Sequence, residues 1–237
     1  MSERLTNISL FTGAGGLDIS LEQAGFETRV CVEYNQACLE TLEANRPRLC
    51  DPSVSFLQDI TKESPGHILE VSGLKPGEAT LVCGGPPCQS YSTAGKRGAI
   101  DDPRGSLFFQ YAEVIRVAQP RFFIMENVRG LLSAAIKHRP LHLRNEELPL
   151  DPHEELGSVF NGIILPKLEG NLDYQVSFGV LNALDYGASQ DRRRLIIIGS
   201  RDMELGNLSG RPPIDELVQP THHPDGTKGI DKWKNLR

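Results

Sequence analysis

Ala79-Thr80-Leu81-Val82-Cys83-Gly84-Gly85-Pro86-Pro87-Cys88-Gln89 is an apolar run that ends on a glycine and proline corner with a thiol just beyond it. The run predicts a buried strand over 79–83 that stops at Gly84-Gly85. Open α/β sheets keep their chemistry just outside the carboxyl ends of their strands. Pro86 and Pro87 fix φ and remove two backbone donors, so Cys88 is presented on a stiff loop. Taken alone, Pro-Pro-Cys reads equally well as an exposed turn with an incidental cysteine. A second apolar run, Arg121-Phe122-Phe123-Ile124-Met125, leads into Glu126-Asn127-Val128. It puts a carboxylate at the end of another predicted strand, on the same rim as Cys88. A thiol and a carboxylate converging on a crevice point to nucleophilic catalysis with acid assistance.

Outward from these two elements the chain alternates. Strands are predicted over 7–11, 29–33, 54–57, 121–125, 174–181 and 195–198. Helices are predicted over 17–24, stopped by Gly25, over 36–45, terminated by Pro47, and over 106–118. Such alternation predicts an α/β domain, doubly wound, with a mostly parallel sheet and helices on both faces. Residues 137–155, rich in Pro, His and charge, read as a loose surface insertion. Periodicity fades after Ser200, so 1–205 reads as the main domain and 206–237 as a connector.

The composition fits a globular chain of 237 residues, with 39% hydrophobic and 24% charged residues. No run approaches the roughly eighteen apolar residues of a membrane span. The opening Met1-Ser2-Glu3-Arg4-Leu5 lacks the shape of a signal peptide, which predicts cytoplasmic residence. Cysteines at 31, 38, 50, 83 and 88 form no CxxC pair, so neither a disulfide framework nor a metal site is expected. Cys31 and Cys83 read as small core residues, and His222-His223 as solvated surface. The net charge of −6 argues against a surface that grips nucleic acid throughout. It leaves room for local basic stripes such as Lys96-Arg97 with Arg104, or Arg192-Arg193-Arg194.

Phe11-Thr12-Gly13-Ala14-Gly15-Gly16 joins the first strand to the first helix, where glycines let backbone approach a ligand. The stretch is not a full GxGxxG, because Asp18 stands where the third glycine would be. A helix N-terminus there favours an anionic group, a carboxylate as readily as a phosphate. Glu33, twenty positions after Gly13, is placed to accept from ribose hydroxyls, and Asp59 from an adenine amino group. For Asp59 alone a helix cap or a solvated loop reads better. Phe11 to Gly16, Glu33, Asp59, Cys88 and Glu126 together give one group per strand end.

These motifs, in this order, resemble the cytosine-C5 DNA methyltransferases from about Ile8 to Arg201. The resembling segments are Leu10 to Leu17, Glu33-Tyr34, Asp59-Ile60, Gly84 to Ser90, Asp102 to Phe108, Glu126-Asn127-Val128 and Gln190-Asp191-Arg192-Arg193-Arg194. The resemblance implies the Rossmann-like fold of S-adenosylmethionine-dependent methyltransferases. It places Phe11, Thr12, Gly13, Gly15, Gly16, Leu17, Glu33, Tyr34, Asp59, Ile60, Gly85, Pro86 and Leu107 around S-adenosylmethionine, with Tyr34 on the adenine. It also implies that Cys88 adds to C6 of a cytosine flipped out of double-stranded DNA while Glu126 acts at N3. Arg194, with Arg192, helps hold the base and lower the thiol pKa; Arg193 reads as a phosphate contact. The setting implied is a restriction-modification or related DNA modification system.

Two departures from the family pattern stand out. Ser189 replaces the proline usual before Gln190. The family also has a target-recognition domain and a late closing helix after this region, and the chain ends at Trp233-Lys234-Asn235-Leu236-Arg237. That predicts either the large subunit of a split enzyme, completed by a second polypeptide, or a truncated chain. The helix would cover an apolar patch around Leu17 and Leu21. Rival readings are a tRNA cytosine-C5 methyltransferase, a catalytically silent regulatory subunit and a dinucleotide-dependent oxidoreductase.

Overall fold

The computed structural model describes residues 5–49, 54–87, 107–137, 139, 149–201, 214–224 and 231–232. In it, β1 (Leu5–Leu10), β2 (Phe26–Val32), β3 (Ser55–Leu57), β4 (Leu81–Gly84), β5 (Phe122–Val128), β6 (Gln175–Asn182) and β7 (Arg193–Ser200) form one sheet. The helices are α1 (Gly16–Gln23), α2 (Gln36–Leu49), α3 (Pro65–Val71) and α4 (Leu107–Ala118), with a short α5 (Ile214–Leu217). The strand order is β3-β2-β1-β4-β5-β7-β6. Strands β1 to β5 pair in parallel, and β7 runs antiparallel to both its neighbours. The sheet is therefore the expected mostly parallel, doubly wound one. Its winding reverses between β1 and β4, which opens a crevice at their carboxyl ends.

The strands at that crevice are buried on both faces. Ile8, Leu10, Val82, Phe123 and Met125 enter one large core, shared with Ile68 of α3 and Tyr111 and Ile115 of α4. Alternate residues face α1 and α2, where Leu21 packs with Leu81 and Cys83, and Leu39 and Leu42 with Cys31. In α4, buried Phe108, Tyr111, Ala112, Ile115 and Ala118 recur at helical spacing. The Tyr111 hydroxyl donates to the Ile124 carbonyl at 2.9 Å, which fixes α4 to β5. The closest backbone approach is at the crevice. A Cβ on Gly84 would lie 2.3 Å from the Leu10 carbonyl oxygen, so only glycine lets β4 end there.

Several elements depart from their predicted bounds. Helix α2 runs through Pro47 to Leu49, since a proline in the last turn removes a single donor and leaves the earlier turns intact. Helix α3 was not expected; Ser64 caps it by accepting from the His67 amide at 3.1 Å, and Pro65 occupies the first turn. A helical stretch over 158–171, containing two π-helical segments, also escaped the sequence; it buries Phe160, Ile164 and Leu168 in the main core. Strand β5 continues past Met125 to Val128, because β7 pairs with it throughout, so Glu126 lies within the strand rather than at its end.

The described ends of the 137–155 insertion are tied together, not loose. The Lys137 amide donates to the His153 carbonyl at 2.7 Å, and Arg139 pairs with Glu154 at 2.6 Å. Within 206–237, Ile214 packs against Gly179 of β6 and the Thr221 amide donates to the Asp185 carbonyl. His222 is buried, not solvated, since its ring fills the space beside Gly187; His223 is exposed. Of the apolar pair expected to lie open on α1, Leu21 is buried against Leu81, and Leu17 and Ile19 are the exposed residues.

Replacing Gly84 by alanine is expected to force β1 and β4 apart and to cost about 2 kcal/mol or more, at the upper range of overpacking. Urea unfolding of the full chain measures this; an unchanged midpoint would mean that the contact relaxes without strain.

Candidate active site

The sheet register lines up the residues that precede the candidate groups. Leu57 pairs with Val32, Val32 with Leu10, Leu10 with Gly84, and Gly84 with Met125. One residue beyond this line lie Gln58, Glu33, Phe11, Gly85 and Glu126. Parallel pairing thus carries groups from five separate stretches of sequence to one edge.

The 11–16 loop bends sharply. Phe11, Gly13 and Gly15 all have positive φ, at 55°, 60° and 85°. A side chain at Gly13 or Gly16 would meet nothing within 4 Å, so the loop borders open space. Helix α1 starts at the left-handed Gly15 with no side-chain cap, leaving its first amides available to a ligand. Glu33 braces the loop: one carboxylate oxygen accepts from the Gly13 amide at 2.7 Å and the other from the Asn35 amide at 2.7 Å. Thr12 is buried and Leu17 is exposed. Tyr34 is 78% exposed, an aromatic face open beside Glu33, and Ile60 is buried.

Asp59 makes a local turn. Its Oδ1 accepts from the Thr61 hydroxyl at 2.7 Å and the Thr61 amide at 3.0 Å, and these bonds hold its carboxyl below the usual range. Its Oδ2 faces exposed Lys62 at 3.3 Å.

On the other side of the crevice, Asn127 is buried and donates through Nδ2 to the Pro86 carbonyl at 2.9 Å. Pro86 is buried, Gly85 half-buried and Pro87 exposed. A Cβ on Gly85 would approach Glu126 Oε2 to 3.2 Å, so the carboxylate rests directly against this loop. Arg194 Nε lies 2.8 Å from Glu126 Oε1. Because β7 is antiparallel, Arg194 sits at its beginning and still reaches the rim, paired with Val128. With side chains about a third exposed, this ion pair adds little stability and serves to orient the acid.

Residues 5–228 match the C-5 cytosine-specific DNA methylase family. The chain is 41% identical to the type II methyltransferase M.AquIA of Picosynechococcus sp. over 92% of its length and 77% of the relative's. It is 37% identical to the type II methyltransferase M.FnuDI of Fusobacterium nucleatum over 88% of its length and 51% of the relative's. The chain belongs to the C-5 cytosine-specific DNA methylase family. Among solved structures it is similar to a protein described as a DNA modification methyltransferase encoded within an E. coli prophage. That match has a TM-score of 0.63 and 27% identity, covering 96% of this chain and 52% of the other. The chain spans about half the length of most of the curated relatives it matches.

The family's reaction class is methylation of cytosine in DNA at C5. In this chain, Glu126, Arg194, Gly85 and Pro86 are brought together, and Phe11 to Gly16 joins Glu33 across β1 and β2. Cys88 lies outside the described residues, as do Lys96, Arg97 and Arg104. Leu107 opens α4 and packs against the main core. The Arg192 side chain is exposed and its backbone amide donates to Asn182 Oδ1 at 3.2 Å. Arg193 pairs with Asp191 at 3.4 Å on the surface. Burial pushes the Cys83 thiol up to about 12, which leaves it inert at neutral pH.

Asn127 was read from the sequence as part of Glu126-Asn127-Val128 with no role of its own. An amide inside a buried strand was the available signal, because such a group needs a partner. Asn127→Ala leaves the Pro86 carbonyl unpaired and is expected to cost about 1–3 kcal/mol of stability. It should also lower kcat more than it raises the KM for the methyl donor. A variant with wild-type kcat would show that the Pro86 bond does not set the loop.

Proposed function

We propose that the protein transfers a methyl group from S-adenosylmethionine to C5 of cytosine in double-stranded DNA. It would do so in the cytoplasm, as part of a restriction-modification or related DNA modification system. The observation that carries the reading is the placing of Glu126, paired with Arg194, one residue beyond the register line and level with Phe11 of the 11–16 loop and with Gly85. Residues 1–205 would be the catalytic and cofactor-binding unit.

The residues present suit the cofactor. The open space beside Gly13 and Gly16, the uncapped start of α1 and the Glu33 carboxylate match an amino acid and a ribose that offer charge and hydroxyl donors. Tyr34 and Ile60 offer apolar surface for a purine, and Leu17, Pro86 and Leu107 the remaining walls. S-adenosylmethionine supplies the electrophilic methyl group when bound.

Cytosine C6 is electrophilic, and a thiolate adds to it and later leaves. In this reading the Cys88 sulfur forms a bond to C6, and the displaced electron pair moves through the ring toward N3. Glu126 gives or shares a proton at N3, and Arg194 holds that carboxyl in place. C5 thereby becomes nucleophilic and would bond to the methyl as the methyl–sulfur bond breaks with its electron pair left on sulfur, while the N3 proton returns to Glu126. Loss of the C5 proton then returns the electrons and expels Cys88. The target base must leave the duplex, since C6 is unreachable in a stack.

Cys88→Ser should abolish transfer to DNA while leaving the thermal unfolding curve unchanged, because an alcohol is a far poorer nucleophile at neutral pH. Duplex containing 5-fluorocytosine should trap the wild-type protein as a gel-stable adduct, and no adduct from a competent sample would count against the mechanism. Glu33→Ala should weaken S-adenosylmethionine binding by about 1–3 kcal/mol, as calorimetry measures. Parallel assays on DNA and tRNA separate this reading from RNA methylation.

A second polypeptide carrying a recognition domain is the further partner in this reading. Supporting it is the exposed apolar pair Leu17 and Ile19 on α1, beside the cofactor loop. Sequence-specific, multiple-turnover methylation by the chain without any partner would remove the need for it.

A further inference from the structure

Asp18 sits in the first turn of α1, directly after the 11–16 loop, and is wholly buried. Neither of its carboxylate oxygens has a partner at good hydrogen-bond geometry among the described residues, and the donors near it are the Ser9 hydroxyl and its own amide. Its surroundings are polar but carry no cation among the described residues. From β1 come Asn7 and Ser9, both buried; from β4 comes Cys83; from β2, Thr28, to which Asn7 Nδ2 donates at 3.2 Å. The Ser9 and Thr12 hydroxyls lie 3.0 Å apart. The titratable groups of this cluster, among the described residues, are Asp18 and Cys83.

Counting donors and acceptors exposes a shortage. Asn7 Oδ1 and both Asp18 oxygens are buried acceptors that no donor among the described residues reaches at good geometry. An ionised carboxylate there is costly, because burial removes its solvation and no counter-charge among the described residues offsets the loss. A proton on Asp18 turns one surplus acceptor into a donor and removes the charge. Burial indeed raises the Asp18 carboxyl above its ordinary range, and the Ser9 hydroxyl and its own amide pull the other way.

The position gives this proton a purpose. The cluster joins the helix that leaves the cofactor loop to the strand that enters it, and to β4, which feeds Gly85 and Pro86. We propose that Asp18 is a positioning residue: as a neutral acid it seats the first turn of α1 on β1 and β4 and so fixes the spacing of the two loops. The proposal rests on the reading of the 11–16 loop as the S-adenosylmethionine site.

The test uses the full chain as wild type, Asp18→Asn and Asp18→Leu. S-adenosylmethionine binding is measured by calorimetry, and thermal unfolding is followed from about pH 4 to about pH 8. The unfolded chain releases the Asp18 proton at the ordinary carboxylate value and the folded chain only at a higher pH. Wild-type stability therefore falls as pH rises between those two values. Asp18→Asn, which cannot ionise but still donates, should lack that fall and retain wild-type affinity. Asp18→Leu keeps the heavy-atom count and the branching at Cγ, is bulkier, and loses the donor; it should bind at least tenfold more weakly. If the leucine variant does not fold, Asp18→Ala is expected to show the same loss.

A folded Asp18→Leu or Asp18→Ala with wild-type affinity would overturn the proposal. So would an asparagine variant as weak as the leucine one, or one whose pH dependence matches wild type. Wild-type protein that binds no S-adenosylmethionine would overturn the cofactor reading instead. The pH comparison, which needs no ligand, would still decide whether Asp18 keeps its proton.

Discussion

The contact on which the site depends is between two pieces of backbone. Gly84 ends β4 so close to the Leu10 carbonyl that a methyl group there would overlap it. This is also the point where the winding of the sheet reverses, so the loops after β1 and β4 leave side by side with no strand between them. Each is then braced from a neighbouring strand. Glu33, after β2, holds the Gly13 amide, and Asn127, in β5, holds the Pro86 carbonyl. The loops are positioned by side chains that parallel pairing has already brought level with them.

The carboxyl groups nearest these loops sit in different surroundings, and their chemistry follows. Glu126 is partly open and meets a guanidinium, which suits a group that must meet a substrate ring. Glu33 spends both oxygens on backbone amides yet remains half-buried, with room for further donors. Asp18 is sealed from bulk solvent with no cation beside it among the described residues, and so is held as a neutral donor. Cys83 is sealed under α1, five residues before Cys88 in the sequence.

The succession of strands along the chain, and the residues that follow them, were legible because each is written locally: a short apolar run, then a glycine or an acid. What escaped depended on distant partners. Strand β5 was read as ending at Met125 because the next residues are polar, yet Asn127 finds its acceptor in Pro86 and β7 supplies the ladder. Nothing near His222 in sequence reveals Gly187, whose missing side chain gives the ring its place. Ile214 likewise reads as part of a tail until Gly179 is seen beneath it. Helix α3 had a local signal in Ser64-Pro65, but seven residues carry too few periodic positions to be read as a helix.

The reversed strand β7 has a consequence for how the chain is made. It slots between β5 and β6, although β6 precedes it in sequence, so β5 keeps an unpaired edge until residues 193–200 have emerged from the ribosome. Such an edge is an invitation to wrong pairing. Some of the most apolar segments, Phe122 to Met125 and Leu195 to Ile198, are the two that must find one another across this interval. Arg194 reaches Glu126 only when they do. A nascent or misassembled chain therefore has no oriented acid, and competence for chemistry is withheld until the last strand of the sheet is seated.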